Sequence, residues 1–284
     1  MIKKRLLLIL CIVSLVACRS KNQEKDSLNK QTITKANADD AKVLITKIKP
    51  LLAGLWVNKE YIDEIKRTKS PQKSYEKVGN ITDMLIDTSK IKSDTLSLYC
   101  NEGFHEVGIV KLKFDPAIFE NGIKRHHRIN NFDDEYCRLK LNRTRDILTL
   151  YWNEQQGKSI KPIQFYKVSI PPGQEGDPHY TIINRILISG NYLATDSLKN
   201  RFKVSFTDDG KVKGLNDFKT YQVLTDYMTP PNNLDEIGFE IDKQLNWYGF
   251  KISADTLNIY GIKEAADSVN EVLTNLKYKL VRQK

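Results

Sequence analysis

Polar and apolar residues alternate with a period of two along much of this chain, which is the pattern of β-strands with one buried face. The pattern is clearest in a six-residue phrase that occurs three times, at 94–99, 146–151 and 255–260. Each copy runs Asp, Thr or Ile, Leu, a small polar residue, Leu or Ile, and Tyr. Successive side chains of a strand point to opposite faces, so the third and fifth residues of each copy are predicted to share one buried face.

Helical spacing of apolar residues is limited to short segments. It occurs at 41–48, which Pro50 is predicted to end, at 59–67 and at 265–276. The polar segment 115–135 lacks a regular period and is predicted to be a loop, whereas 182–194 is apolar and rich in β-formers. Further strands are predicted at 52–57, 81–87, 107–114, 136–141, 163–168, 201–207, 218–224, 237–241, 247–253 and 276–281.

The two halves of the chain share an order of elements. Gly54-Leu55-Trp56 in the first half and Gly190-Asn191-Tyr192 in the second are each followed by a copy of the phrase and then by a closing strand. This order suggests a duplicated unit, although strand alternation is generic and gives some similarity without duplication. The first half is about 27 residues longer between its opening strand and the copy at 146–151, so the copy at 94–99 is assigned to an inserted hairpin.

A cluster of three prolines and two glycines between 171 and 178 marks the predicted boundary between two units, 43–170 and 180–284. His179 follows this cluster and is predicted to be exposed in the linker. Each unit has the length of a small antiparallel barrel, and closing a sheet removes its exposed edges. The predicted fold class is therefore mainly β, with two tandem antiparallel β-barrel or half-barrel units and short helices.

Gly54-Leu55-Trp56 resembles the Gly-x-Trp motif on the first strand of lipocalin-like (calycin) proteins. The resemblance implies a β-barrel with a ligand site inside and a structural role for Trp56 at the closed end. It also suggests that the segment 59–67 covers one mouth of the barrel. The second half departs from the pattern, because Tyr192 stands in place of the Trp.

The N-terminus has the order of parts of a secretory signal. A basic patch at 3–5 precedes an apolar run at 6–16, which is too short to span a membrane. The run ends in Leu15-Val16-Ala17-Cys18, which resembles the lipobox of bacterial lipoproteins and implies acylation of Cys18 with cleavage before it. The alternative is an ordinary secretory signal with an incidental Cys.

The lipoprotein interpretation gives a signal peptide at 1–17 and a flexible tether at 18–42, where large apolar residues are almost absent. It predicts a cell-envelope protein anchored to the bilayer through acylated Cys18, on the periplasmic or the surface face of the outer membrane. The formal net charge is +10, of which three positive charges lie in the signal. Opposite charges alternate along the remainder, so a nucleic-acid partner is not expected.

The cysteines suit an exported protein. Cys11 leaves with the signal, Cys18 carries lipid, and only Cys100 and Cys137 remain. These two are candidates for a disulfide that would close a loop of 36 residues. The alternative is that they are two half-buried strand cysteines that never meet.

The most concentrated polar cluster is Lys124-Arg125-His126-His127-Arg128. Its three cations oppose a divalent metal beside the imidazoles, so no metal site is predicted, and contact with an anion suits the cluster better. The alternative is a solvated loop. Neither a nucleophile elbow nor a nucleotide-binding fingerprint occurs, so the sequence predicts neither an enzyme nor a cofactor.

The sequence thus favours an envelope lipoprotein that binds a small or apolar ligand inside a barrel without catalysis. A second hypothesis is an interaction protein that has filled barrels and contacts protein, lipid or glycan through its surface. A third is a surface enzyme of unknown type. A cavity of about a few hundred Å³ would favour the first hypothesis, and a packed interior the second.

Overall fold

The computed structural model describes residues 43–284 except 44, 80, 92–94, 103–105, 114–121, 129–136, 143, 145, 153–161, 170–177, 228, 230 and 232. Within these residues the chain forms two antiparallel sheets of eight strands, with four short α-helices. The predicted fold class, mainly β with barrel or half-barrel units, is confirmed. The predicted signal and tether lie outside the described residues.

The first sheet is a closed barrel in which each strand pairs with its neighbours in the chain and β1 pairs with β8. Helix α1 (45–52) precedes it. The strands are β1 Gly54–Asn58, β2 Asp83–Ile86, β3 Thr95–Glu102, β4 Glu106–Lys113, β5 Gly122–Arg128, β6 Cys137–Leu141, β7 Ile147–Trp152 and β8 Ile163–Val168.

The second sheet follows the same up-and-down order after helix α4 (Pro178–Leu187), and β9 pairs with β16. Its two edges, β11 and β12, meet through a single bridge between Lys211 and Thr220, so this barrel is nearly closed. The strands are β9 Gly190–Asp196, β10 Arg201–Phe206, β11 Val212–Lys213, β12 Thr220–Val223, β13 Glu236–Ile241, β14 Gln244–Ser253, β15 Thr256–Glu264 and β16 Glu271–Arg282.

The three copies of the repeated phrase form β3, β7 and β15, and the predicted buried face is confirmed. The third and fifth residues of every copy are buried in a barrel core: Leu96 and Leu98, Leu148 and Leu150, Leu257 and Ile259. The prediction of an inserted hairpin at 94–99 is wrong, because β3 is the regular third strand of an eight-stranded barrel.

Most of the extra length of the first half lies between its first two strands. There 24 residues separate β1 from β2, whereas 4 residues separate β9 from β10. The longer connection contains helix α2 (Lys59–Thr68), the short helix α3 (Pro71–Ser74) and a 3₁₀ turn. Asn58 caps α2 through its side-chain oxygen, which accepts from the Tyr61 N–H at 3.1 Å.

Three predictions of local structure are wrong because tertiary context overrides the local pattern. The helix α1 continues through Pro50 to residue 52. The first part of the β-prone run 182–194 belongs to α4, where Ile183 and Leu187 lie one turn apart on the buried face. The predicted loop 115–135 contains β5, because hydrogen bonding to β4 and β6 compensates for the poor apolar pattern.

The predicted helix at 265–276 is also wrong. Residues 265–270 form a turn in which the Asp267 carboxylate accepts from the backbone N–H groups of Val269 and Asn270 at 3.0 and 2.9 Å. The chain then enters β16. Val272 and Leu276 are exposed on this strand. Their helix-like spacing in the sequence therefore does not correspond to the buried face of a helix.

Candidate functional sites in and between the barrels

The basic stretch of the sequence forms β5, between β4 and β6. Arg125 pairs in register with Leu112, and Arg128 pairs with Val110. Residues paired across antiparallel strands share a face, and Leu112 and Val110 pair in turn with Leu96 and Leu98 of the barrel core. Positions 125 and 128 therefore lie on the inner face of the first barrel.

The neighbouring position takes the opposite face. Lys124 pairs with Arg138, next to the pair of Ile123 with Leu139, and Leu139 belongs to the core. His126 and His127 lie at the irregular part of the β4–β5 ladder. The side chains of β5 are outside the described part of the structure, so an anion contact by Lys124, Arg125, His126, His127 or Arg128 stays a prediction.

The end of the first barrel next to α1 is closed around Trp56. The buried indole donates from Nε1 to the Leu52 carbonyl at the end of α1, at 2.7 Å. Lys167 of β8 pairs with Trp56 in register, and its Nζ lies 5.4 Å from the centre of the indole ring. The same Nζ donates to the Leu51 carbonyl at 2.8 Å, and burial lowers the pKa of this ammonium.

The second barrel has the same arrangement with different residues. The Tyr192 hydroxyl donates to the Ile188 carbonyl at 2.6 Å, just beyond the end of α4. Arg282 of β16 pairs with Tyr192, lies 5.0 Å from the ring centre, and donates to the carbonyls of Leu187 and Ser189. Burial raises the pKa of Tyr192 to about 12.

The interior of the second barrel is filled by aromatic rings. Phe206 and Tyr221 meet edge to face with centroids 5.1 Å apart, and Phe218 stacks on Phe239 at 4.8 Å. Such contacts stabilise by about 0.5–1.5 kcal/mol beyond the burial of the rings. Two hollows lined by described residues lie on outer surfaces, one around α2 and one on β9–β11.

Helix α2 lies between the two barrels. The loops at the neighbouring mouth of the first barrel include 103–105, 129–136 and 153–161, outside the described residues, so the covering of that mouth by 59–67 stays a prediction. The helix packs on the outside of β8, where the Tyr166 hydroxyl donates to Asp63 at 3.0 Å. Its apolar face, Tyr61, Ile62 and Ile65, belongs to one buried cluster with residues of α4 and of the second barrel.

His179 in the first turn of α4 is buried, so its predicted exposure in a linker is wrong. Its ring stacks on Tyr61 with centroids 6.1 Å apart, and its Nδ1 lies 3.7 Å from the Asp83 carboxylate of β2. Asp83 also accepts from Asn101 at 2.8 Å and from Thr82 at 3.1 Å. The carboxylate favours a charged imidazole, but burial has the larger effect and lowers the pKa of His179 to about 4.

An imidazole beside a carboxylate is a common acid–base pair, but this one is enclosed. Only 3% of His179 and 4% of Asp83 are exposed. The pair therefore lies buried at the contact between the first barrel and α4.

Two acidic residues lie on the other side of the same junction. Asp235 accepts from the Gln72 backbone N–H of α3 at 2.9 Å, and burial raises the pKa of its carboxyl. Burial and the nearby Glu271 raise the pKa of Glu236 to about 7.

Cys100 and Cys137, the two candidates for a disulfide, lie on β3 and β6. Cys100 is buried in the core of the first barrel, and Cys137 begins β6. β4 and β5 lie between these strands, so three steps of about 4.8 Å separate them along the sheet, whereas disulfide Cα atoms lie about 4.4–6.8 Å apart. This separation disfavours the disulfide, but the Cys137 side chain is outside the described part, so the disulfide stays a prediction.

Neither a protein-family model nor the sequence of a curated protein matches this chain. Across the residues that the structure describes, no group of three or more potential metal ligands occurs. Among the described helices, none has the length and apolar character needed to cross a bilayer. No sequence motif points to the roles of Lys167, Arg282 and His179, because these roles depend on strand register and on the packing of α2.

Proposed function

We propose that this protein is a lipid-anchored envelope protein whose first barrel binds a small apolar ligand that carries an acidic group. The closed eight-stranded barrel is compatible with an interior site, and the core residues that the structure describes in it are apolar. The acidic group would approach β5. This ligand class combines an apolar body with one charge, as a long-chain carboxylic acid does.

The register of β5 is the observation that carries the proposal. Positions 125 and 128, both arginine, share the inner face with Leu112 and Val110. The fifth strand of the second barrel is β13, and its residues Ile237 and Phe239 are buried in the core. The corresponding inner positions of the fifth strand of the first barrel are therefore occupied by arginines instead of apolar residues. A charge on the inner face of a barrel is costly without a partner, and an anionic ligand would supply one.

A binding titration tests the ligand. The protein is residues 18–284 with the substitution Cys18→Ser, which contains every described element, and it is titrated with palmitate and, separately, with hexadecanol. We expect palmitate to bind more tightly. The double variant Arg125→Ala/Arg128→Ala is expected to weaken palmitate binding about tenfold or more and to leave hexadecanol binding unchanged. Lys124→Ala, at the opposite face of the same strand, is the matched control.

Two results would contradict this ligand site. One is the absence of binding of either compound together with no copurifying small molecule in native mass spectrometry. The other is an equal loss of palmitate affinity in Lys124→Ala and in the double variant, which would point to net charge alone.

The anchor rests on the lipobox-like ending at Cys18, and a separate experiment tests it. We expect the full-length chain to partition into detergent and the Cys18→Ser variant to stay in the aqueous phase, because several acyl chains of about 0.8 kcal/mol per methylene are lost. Recovery of the variant in the detergent phase with its acyl chains would show that Cys18 is not the site of lipidation.

The packing inside the second barrel favours a different function for this barrel. Its interior is filled by the rings of Phe206, Tyr221 and Phe239, which supports a role through its outer surface. An interaction protein with filled barrels is therefore the second candidate function. It becomes the better explanation if the first barrel binds neither palmitate nor hexadecanol.

A further inference from the structure

A hollow of about 550 Å³ lies on the outer wall of the second barrel, on β9, β10 and β11. We propose that it binds an acidic saccharide through the carboxylate or phosphate of one sugar. This site is separate from the barrel interior of the proposed function and does not depend on it. The lining residues are Asn191, Tyr192, Leu193, Lys203, Val204, Ser205, Lys213, Gly214 and Gln283.

Lys203 and Lys213 give the hollow its charge. Lys213 pairs directly with Ser205, and Lys203 lies two residues before Ser205 on the same face of β10. Such diagonal neighbours are about 7–8 Å apart, so both ammonium groups can reach one anion. Both side chains are exposed, and among the described residues lining the hollow none is acidic.

Gly214 allows the backbone next to Lys213 to lie close to the backbone of Lys203. It has a φ of +83°, and a Cβ at this position would lie 2.3 Å from the Lys203 carbonyl oxygen. Only a residue without a side chain lets the backbone after Lys213 approach β10 this closely. The spacing of the lysines is therefore fixed by the backbone.

A second surface hollow differs from this one in the pairing of its cations. The hollow around α2 measures about 790 Å³ and also contains cations, but they are paired. Lys59 lies 2.6 Å from Asp63, Arg67 pairs with Glu64, and Lys77 lies 3.9 Å from Glu60. In the part of the chain that the structure describes, no ion pair joins Lys203 or Lys213 to a carboxylate, so their charge is available to a ligand.

The remaining lining groups suit a hydroxylated ligand. Asn191, Ser205 and Gln283 bring amide and hydroxyl groups that can donate to or accept from sugar hydroxyls. The Gln283 backbone N–H donates to the Asn191 carbonyl at 2.8 Å, which fixes these two residues next to each other. Leu193 adds an apolar surface for the face of a sugar ring.

A row of cations continues from the hollow across the outer wall. Arg201 pairs with Thr195, Thr195 with Lys279, and Lys279 with Asn258, which pairs with Lys251. All five positions share one face, and three of them are basic. The row favours an oligosaccharide with repeated acidic groups over a single acidic sugar.

The test is isothermal titration of the folded chain, residues 18–284 with Cys18→Ser, with hexagalacturonate, with neutral maltohexaose and with phosphatidylglycerol vesicles. We expect binding of hexagalacturonate that weakens as salt rises, and no binding of maltohexaose. Lys203→Gln/Lys213→Gln should lower the affinity about tenfold or more per lysine. The control Lys243→Gln/Lys263→Gln removes the same charge at two exposed positions outside the hollow and should change it less than about twofold.

Three outcomes overturn the proposal. They are the absence of hexagalacturonate binding, an equal loss in the control variant, and binding of the vesicles without binding of the oligosaccharide. Circular dichroism of each variant reports whether the barrels are intact. If the double variant is unfolded, Lys203→Gln alone provides the comparison, with the expected loss of about tenfold.

Discussion

Tyr192 occupies in the second barrel the place that Trp56 occupies in the first. Each donates a hydrogen bond to the carbonyl four residues earlier, at 2.6 Å for Tyr192 and 2.7 Å for Trp56. Each also has a cation from the last strand over its ring, Arg282 or Lys167. The exchange of Trp for Tyr therefore keeps the donor, the ring and the contact with the closing strand.

Tyr192→Phe should destabilise the second barrel by about 1 kcal/mol, because the ring stays and only one buried hydrogen bond is lost. Urea denaturation measures the change in the free energy of unfolding. Tyr260→Phe is the matched control and should change it by less than about 0.5 kcal/mol, because its half-buried hydroxyl makes no hydrogen bond to a described residue. Equal effects of the two variants would mean that the bond to Ile188 contributes nothing.

The stability of the protein should fall as the pH is lowered from 6.5 towards 4, through His179. The unfolded imidazole gains a proton near 6.5, whereas burial keeps the folded one neutral until about 4. The unfolded state therefore binds more protons in this window, and at most about 3 kcal/mol is lost. Urea denaturation at pH 7.5, 5.5 and 4.5 should show a smaller loss in His179→Phe. Parallel pH profiles of the two proteins would exclude the effect.

Glu236 should act in the opposite direction. Its pKa is raised from 4.5 to about 7, so the folded state holds the proton longer and stability falls as the pH rises through this window. Glu236→Gln removes this loss and should stabilise the protein at pH 8 by about 1–2 kcal/mol, with little effect at pH 4. Thermal unfolding at both pH values measures this difference. The exposed Asp217→Asn is the control, and a gain at pH 8 as large as that of Glu236→Gln would point to general charge reduction.

Ile65→Ala should loosen both barrels, although the residue belongs to a connection of the first. Its buried side chain lies in the cluster that contains core residues of the second barrel, and such truncations cost about 2–4 kcal/mol. Hydrogen exchange should therefore become faster in β9–β16 as well as in β1. Lys66→Ala on the exposed side of α2 is the control. Unchanged exchange in the second barrel would show that α2 does not couple the two.

The sequence predicted correctly those strands whose own residues alternate clearly between apolar and polar. The leucine pairs of β3 and β7 lie two residues apart and face the core, as their alternation indicated. The strand β5 was missed because its stability comes from pairing with β4 and β6, and its residues are mainly charged. His179 was misplaced because Pro178 begins a helix, whereas the local sequence suggested a linker.

The candidate sites were less predictable than the fold. The basic stretch at 124–128 was visible, but only the register divides it between the two faces of the barrel. Lys203 and Lys213 are ten residues apart in the sequence, and no sequence motif links them. Their proximity follows only from the pairing of β10 with β11. Surface chemistry of this kind depends on which strands are neighbours.

The position of α2 has a practical consequence for anyone who divides this chain for expression. The proline-rich segment before α4 looks like the natural place to cut, yet a fragment ending there would expose Tyr61, Ile62 and Ile65 to water. The complementary fragment would lose the ring that stacks on His179. Each fragment would expose an apolar surface that the other half of the chain covers in the intact protein. Aggregation of the isolated fragments would therefore reflect this exposed surface and not a failure of either barrel to fold.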